Sequence, residues 1–438
     1  MRMPEKILEL CFKDDMSFPE IPPPTAGLAE WKRTKQRFLF ALLVLTLIFV
    51  AIFLHSSLSK PDVIGQAEIA GDSEPTPEQQ SEPEKPSEPK PEIATAVSPS
   101  TTCDLTVGSW VENPSRQPQY TGESCRSLSR ALNCQRNGRT NMRYLQYEWR
   151  SPGCRIERFD ASPFLERMRN KVFLVVGDSL TLNFFSALQC LIETVTPTKS
   201  REGPLFPGGP NAHAVLAPHF NATFLRQAAA FLARSSPSGG GDRTSSGSTW
   251  TVHLDQVHPE WAPVLQYTDY VVFGTGAWYT TGRVKTRHYM INNTEQPNNR
   301  MATMQAALHT VTRFTRSINY TGMPIFLTYS PMHGNVRVNS TTPSVGCSAY
   351  MDPVAPEAVE VPQWNKDCMG VRNAQIEVVQ QPKEFKVVDV TALSVLRPDG
   401  HLQDHCEHPN AIDCMHWCLP GIPDTWADII YSHVMEFM

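Results

Sequence analysis

Positive charge is not in surplus in this sequence. Against 44 aspartates and glutamates stand 39 lysines and arginines, for a formal charge of −5. Without a basic excess nothing drives neutralisation of a phosphate backbone, so nucleic acid is not an expected partner. Cysteine, at 11 of 438 residues, is too sparse for a small disulfide scaffold. No stretch resembles a nucleotide-binding loop. Long apolar runs are scarce as well, and the longest is Phe38 to Leu54. Proline is the exception: the 37 prolines are concentrated locally, which points to a linker rather than to fibrous structure. The length implies roughly two or three domains of about 150 residues, ample for a sizeable core.

The apolar run has 17 residues and no charge. That is the short end of what crosses a hydrocarbon layer of ~30 Å. Lys32, Arg33, Lys35 and Arg37 flank it on one side and only Lys60 on the other. The positive-inside rule therefore makes 1–37 a cytosolic tail, 38–54 a signal anchor and the remainder lumenal. A cleaved signal peptide fits less well, because no small-residue cleavage site follows the run. Segment 55–102 repeats Glu-Pro and Ser-Glu-Pro units and has almost nothing apolar from Ser73 to Pro91. It cannot offset its ordering entropy, so it reads as a disordered stem.

Only Cys11 precedes the span. The others, Cys103, Cys125, Cys134, Cys154, Cys190, Cys347, Cys368, Cys406, Cys414 and Cys418, are even in number and suited to pairing. Glycosylation sequons at Asn221, Asn292, Asn319 and Asn339 lie on the same side. Beyond the stem, apolar runs at Lys171 to Val176, Tyr270 to Phe273, Pro324 to Thr328 and Phe385 to Val390 alternate with helical stretches. The helical stretches are Leu180 to Val195, Gln296 to Ile318, Val371 to Gln381 and Asp424 to Met438. This pattern predicts an α/β fold with a mostly parallel sheet covered by helices on both faces, over 171–438. Region 197–262 is less regular, with Ser235 to Ser248 as an exposed loop. Residues 103–170 read as a disulfide-tied lobe.

Two motifs carry chemistry. Gly177-Asp178-Ser179 follows a strand and precedes a helix, where open α/β sheets form their sites. Gly177 permits a tight turn, and backbone N–H groups there can face a developing oxyanion. The same triplet also serves as an ordinary capped turn. In Asp413-Cys414-Met415-His416-Trp417-Cys418, an Asp three residues before a His can orient the imidazole while its other nitrogen takes a Ser proton. A surface Asp/His pair reads identically. His401, His405, Cys406, His408, Cys414, His416 and Cys418 crowd one stretch, but their spacings miss the usual zinc patterns and cysteines in an oxidising lumen pair, so no metal is expected.

These strings, with Leu419-Pro420-Gly421 and the span and stem, make the sequence similar to the plant trichome birefringence-like family. Its members are Golgi polysaccharide O-acetyltransferases with an SGNH/GDSL-esterase-like fold. The resemblance covers roughly 103–438. It includes Cys103-Asp104-Leu105, Gly108-Ser109-Trp110-Val111, Cys134-Gln135-Arg136-Asn137-Gly138-Arg139, Tyr144-Leu145, Trp149-Arg150 and Ser330-Pro331-Met332-His333. It implies Ser179 as acyl-accepting nucleophile, His416 as its base and Asp413 as the orienting acid. It also implies oxyanion or substrate roles for Gly177, Asp178, Asn183, Gly276, Trp278 and His333. Two departures stand out. Leu182-Asn183 replaces the family's Arg-Asn, and Gly274-Thr275-Gly276-Ala277-Trp278-Tyr279 lacks the family's Asn and His. Cys368 and Cys406 are candidates for an extra bridge.

The resemblance thus implies a single-pass type II Golgi membrane protein that moves acetyl to a cell-wall polysaccharide through an acetyl-serine. No cofactor is expected to stay bound. The donor would be acetyl-CoA or a carrier derived from it, with an acetyl-donor transporter as a partner. Trp278, Tyr279 and Trp364 could stack on sugar rings, although core packing explains aromatics equally well. An acetylesterase with the same three residues, or a non-catalytic glycan-binding protein, are the alternatives.

Overall fold

A computed structural model of the chain describes residues 108–152, 156–204, 210–238, 249–280, 286–334, 346–354, 363–381, 385–406 and 412–436. The expected tail, span and stem, together with Cys103, Cys154 and Asn339, lie outside the described residues. Among the described residues no helix is long and apolar enough to cross a membrane.

The first strands, β1 (Ser109–Glu112) and β2 (Tyr147–Arg150), pair antiparallel. Helix α1 (Ala161–Arg167) follows, capped by Asp160. Then come β3 (Val172–Gly177), α2 (Ser179–Glu193), β4 (Lys199–Pro204), β5 (Asn211–Ala217) and β6 (Ala222–Ala228). Next are β7 (Ala233–Ser238), β8 (Thr249–Val257), β9 (Tyr270–Gly274), β10 (Thr286–Ile291) and β11 (Thr294–Gln296). The chain continues through α3 (Arg300–Ser317), β12 (Met323–Leu327), α4 (Gln363–Val379), β13 (Lys386–Val388) and α5 (Thr391–Val395). It closes with β14 (His401–Gln403), β15 (Asp413–Trp417) and α6 (Ile422–Glu436).

The main sheet has seven strands in the order β13-β12-β9-β3-β6-β5-β4. The five from β13 to β6 run parallel, and β5 and β4 are antiparallel additions. All five residues of β9 are buried, as are Phe173 to Gly177 of β3. A strand covered on both faces needs apolar residues at every position, which is why these runs show no alternation. Met304, Ala307, Leu308 and Val311 form the buried stripe of α3.

Region 197–262 is more ordered than its composition suggests. It supplies β4 to β6 and two of the four strands of a second sheet, β11-β10-β8-β7. Ser235 to Ser238, read as loop, belong to β7. Strand β4 is an edge strand exposed along nearly its whole length, so its polar sequence carries no burial signal.

Disulfides Cys125–Cys190 and Cys134–Cys418 tie the N-terminal segment to α2 and to the end of β15, and Cys347–Cys414 fastens the start of β15. Cys406 is disulfide-bonded. Cys368 is buried as a thiol, so the expected Cys368–Cys406 bridge does not form. Cys368 lies on α4 and Cys406 beyond β14, and only folding decides which sulfurs meet. Asn221, Asn292 and Asn319 are exposed, each with φ near +50°.

Asp428 on α6 accepts a hydrogen bond from the Phe159 N–H at 2.8 Å. Burial pushes its carboxyl up to about 6, despite that bond and the nearby Arg116 and Arg158. A carboxyl that holds its proton more tightly folded than unfolded adds stability as pH falls through about 6 towards its ordinary value. Asp428→Asn removes that dependence. Between pH 5 and pH 7 the melting temperature of the variant should therefore fall less than that of the unaltered protein, by a few degrees in thermal unfolding. Parallel curves would refute the assignment.

Candidate active site

Ser179 is the first residue of α2, directly beyond the C-terminal end of β3. Asp178 caps the helix by accepting from the Leu180 N–H at 3.0 Å. Gly177 must lack a side chain, because a Cβ there would sit 1.9 Å from the Gly274 carbonyl oxygen. The sheet register pairs Gly177 with Gly274, so Ser179 and Gly276 follow at the same offset on neighbouring strand ends. Gly276, at φ +147°, would drive a Cβ to 2.7 Å from the Tyr329 ring.

His416 reaches Ser179 from β15. Its Nε2 lies 2.8 Å from Ser179 Oγ, and its Nδ1 lies 2.7 Å from Asp413 Oδ2. Asp413 and His416 are fully buried, and Ser179 is 9% exposed. Asp413 Oδ1 accepts from the Met415 and His416 N–H groups at 2.8 and 3.0 Å. Burial alone would raise the Asp413 carboxyl. The His416 imidazole and these three hydrogen bonds outweigh it and hold the group well below the usual carboxylate range. An ionised Asp413 takes the Nδ1–H, which leaves the Nε2 lone pair facing the Ser179 hydroxyl. The line has the geometry of a serine hydroxyl held against a base.

The remaining expected site residues divide. Asp178 is buried beside the line, its carboxyl pushed up to about 6 by burial, and its Oδ2 accepts from the Ala277 N–H at 3.2 Å. Trp278 is half-buried, edge-on to Trp250 at 5.3 Å and Phe231 at 5.7 Å. Tyr279 is fully buried and belongs to the core, and the Trp364 side chain lies outside what is described. Two expectations need correction. Asn183 donates to the Trp417 carbonyl at 3.0 Å and accepts from the Trp417 N–H at 3.3 Å, so its amide docks β15 on α2 rather than facing an oxyanion. His333 is 1% exposed with both ring nitrogens engaged internally, too deep to touch an acceptor. Both residues carry polar groups that satisfy buried neighbours, as burial requires.

Sequence reasoning missed a brace of β14 and a brace of β15. Arg139 donates to the carbonyls of His401 at 3.0 Å and Asp399 at 2.6 Å. His401 Nδ1 lies 3.0 Å from the His416 carbonyl, and its ring stacks on Trp417 at 3.9 Å. Cys414 and Cys418, which the metal pattern needed as thiolates, are both oxidised in disulfides.

Residues 156–433 match the model of the GDSL/SGNH-like acyl-esterase family found in Pmr5 and Cas1p, and 101–155 match the PMR5 N-terminal domain. Among curated proteins, xylan O-acetyltransferase 6 of Oryza sativa subsp. japonica is 29% identical over 364 residues, which is 78% of this chain and 64% of that protein. The chain thus spans just under two thirds of that relative. Protein trichome birefringence-like 25 of Arabidopsis thaliana is 29% identical over 77% of this chain and 78% of its own length. Protein trichome birefringence-like 23 of the same plant is 30% identical over 76% and 81%.

Proposed function

The chain belongs to the GDSL/SGNH-like acyl-esterase family found in Pmr5 and Cas1p, and on that premise we propose that it is a polysaccharide O-acetyltransferase working through an acetyl-serine. The observation that carries this reading is the hydrogen-bonded line Ser179–His416–Asp413. The name of the rice relative supports acetyl as the group and xylan-type glycan as the acceptor class.

In the first half-reaction Ser179 Oγ attacks the acetyl carbonyl carbon and its proton passes to His416 Nε2. Asp413 stabilises the imidazolium. The N–H groups of Ser179 and Gly276 are the proposed oxyanion donors. Collapse expels the donor's leaving group, which takes the proton, and leaves acetyl on Ser179. A sugar hydroxyl then attacks the ester, His416 accepts its proton, and the proton returns to Ser179 Oγ. Trp278 is the proposed contact for the acceptor sugar. Transfer beats hydrolysis only where the acceptor is held and water excluded.

The donor in this reading is acetyl-CoA or a carrier loaded from it, delivered by a transporter, with nothing bound at rest. The proposal puts the body in the Golgi lumen, anchored by 38–54. Paired cysteines and exposed sequon asparagines support an oxidising, glycosylating compartment. The test is to incubate the purified chain with labelled acetyl donor and a panel of oligosaccharides. Label on sugar is expected. Label released only as acetate would replace the reading with an acetylesterase.

A further inference from the structure

We propose that His333 and His401 share one extra proton, forming a buried imidazolium–imidazole pair that braces the main chain of His416. The argument is a count of hydrogens. His333 Nε2 lies 2.9 Å from the Val395 carbonyl, and His401 Nδ1 lies 3.0 Å from the His416 carbonyl. Carbonyl oxygens only accept, so both of these nitrogens must carry a hydrogen. The two inner nitrogens, His333 Nδ1 and His401 Nε2, face each other at 2.6 Å. That contact also needs a hydrogen, since two lone pairs at this distance repel. Three contacts therefore require three hydrogens. Two neutral imidazoles supply two. The third makes the pair a cation.

Burial opposes a cation here and pulls His333 down to about 4, with His401 drawn down as well. The neutral pair, however, must leave one of three buried contacts without its hydrogen, and an unmade buried bond is costly. Asp413, ionised and fully buried one strand away, favours a positive His401. So does the Trp417 face, on which His401 stacks. Of the other charged groups packed around, Arg397 and Asp399 neutralise each other at 2.9 Å. Arg139 reaches the backbone oxygens of His401 and Asp399, not the ring. The pair and Asp413 thus carry opposite charges side by side.

The pair is a positioning device. It links the end of α5, the segment at His333 and β14 to β15, and the His333 N–H also donates to the Cys414 carbonyl at 2.8 Å. Its charge also acts through space on nearby His416. Its kinetic effect rests on the acyl-transfer reading, whereas the hydrogen count does not.

The test uses the full chain labelled with ¹⁵N-histidine, near pH 8. A coupling between two imidazole nitrogens across a hydrogen bond identifies the pair in the unaltered protein. Three of its four nitrogens should be protonated, and finding only two overturns the proposal, whatever the protein's activity. His333→Gln then keeps a neutral donor and acceptor in place. In the kcat/KM profile of that variant the acid limb should move to higher pH by about one unit. A uniform loss with an unmoved limb would reduce the pair to a structural contact.

Discussion

Replacing Ser179 with alanine is expected to lower acetyl transfer by about three to six orders of magnitude while the protein stays folded. The loss is this large because the nucleophile has no substitute. The base sits 2.8 Å from the Ser179 oxygen, and both side chains are buried. Stability should change little. The substitution removes one hydrogen bond, worth about 1 kcal/mol, and leaves His416 held by Asp413. Two measurements check it. Initial rates with acetyl donor and oligosaccharide give the loss. Mass analysis after incubation with donor alone should find one acetyl group on the peptide containing Ser179, and none on the variant. A variant that transfers acetyl within tenfold of the original rate would remove Ser179 from the chemistry.

What could be read from the sequence follows from where the physics leaves a mark. The central strands β3, β9 and β12 were readable as uninterrupted apolar runs because both their faces are covered. Strands β4 and β7 were not. The first is an exposed edge, and the second, Ala-Arg-Ser-Ser-Pro-Ser, has the composition of a loop. The contact of Ser179 with His416 spans 237 positions and was accessible only through two short motifs. Asn183, Arg139 and His401 were visible as residues but not their roles, because each holds a backbone carbonyl or N–H. Every residue carries those groups, so no residue pattern advertises the partner. Gly274 shows the same point at an expected site. A Cβ at 274 would meet the Thr181 side chain at 2.7 Å, so the family's asparagine would not fit beside this Thr181 without a local shift.

Asp413→Asn should cost about four orders of magnitude in kcat and leave the site's geometry almost intact. The reason lies in the carboxylate's second oxygen. Oδ1 receives two backbone hydrogens, from Met415 and His416. An asparagine must keep its carbonyl oxygen there, because its NH₂ cannot face two donors. The NH₂ then points at His416 Nδ1, which must accept. The imidazole proton moves to Nε2 and faces Ser179 Oγ, so the ring becomes a donor where a base is needed. Asp413→Ala imposes no tautomer and should retain more activity than the isosteric asparagine, although it leaves two buried N–H groups without their acceptor. Stability follows the opposite order. The unaltered Asp413, held below its ordinary range, contributes stability above about pH 4 that is lost as pH falls through its folded value. Both variants forgo that contribution, and the alanine also forfeits the N–H partners, so it should melt lower. Rates and melting temperatures that rank the two variants in opposite orders would establish that Asp413 works by fixing a tautomer. An asparagine variant as active as the original would mean that His416 is not the base.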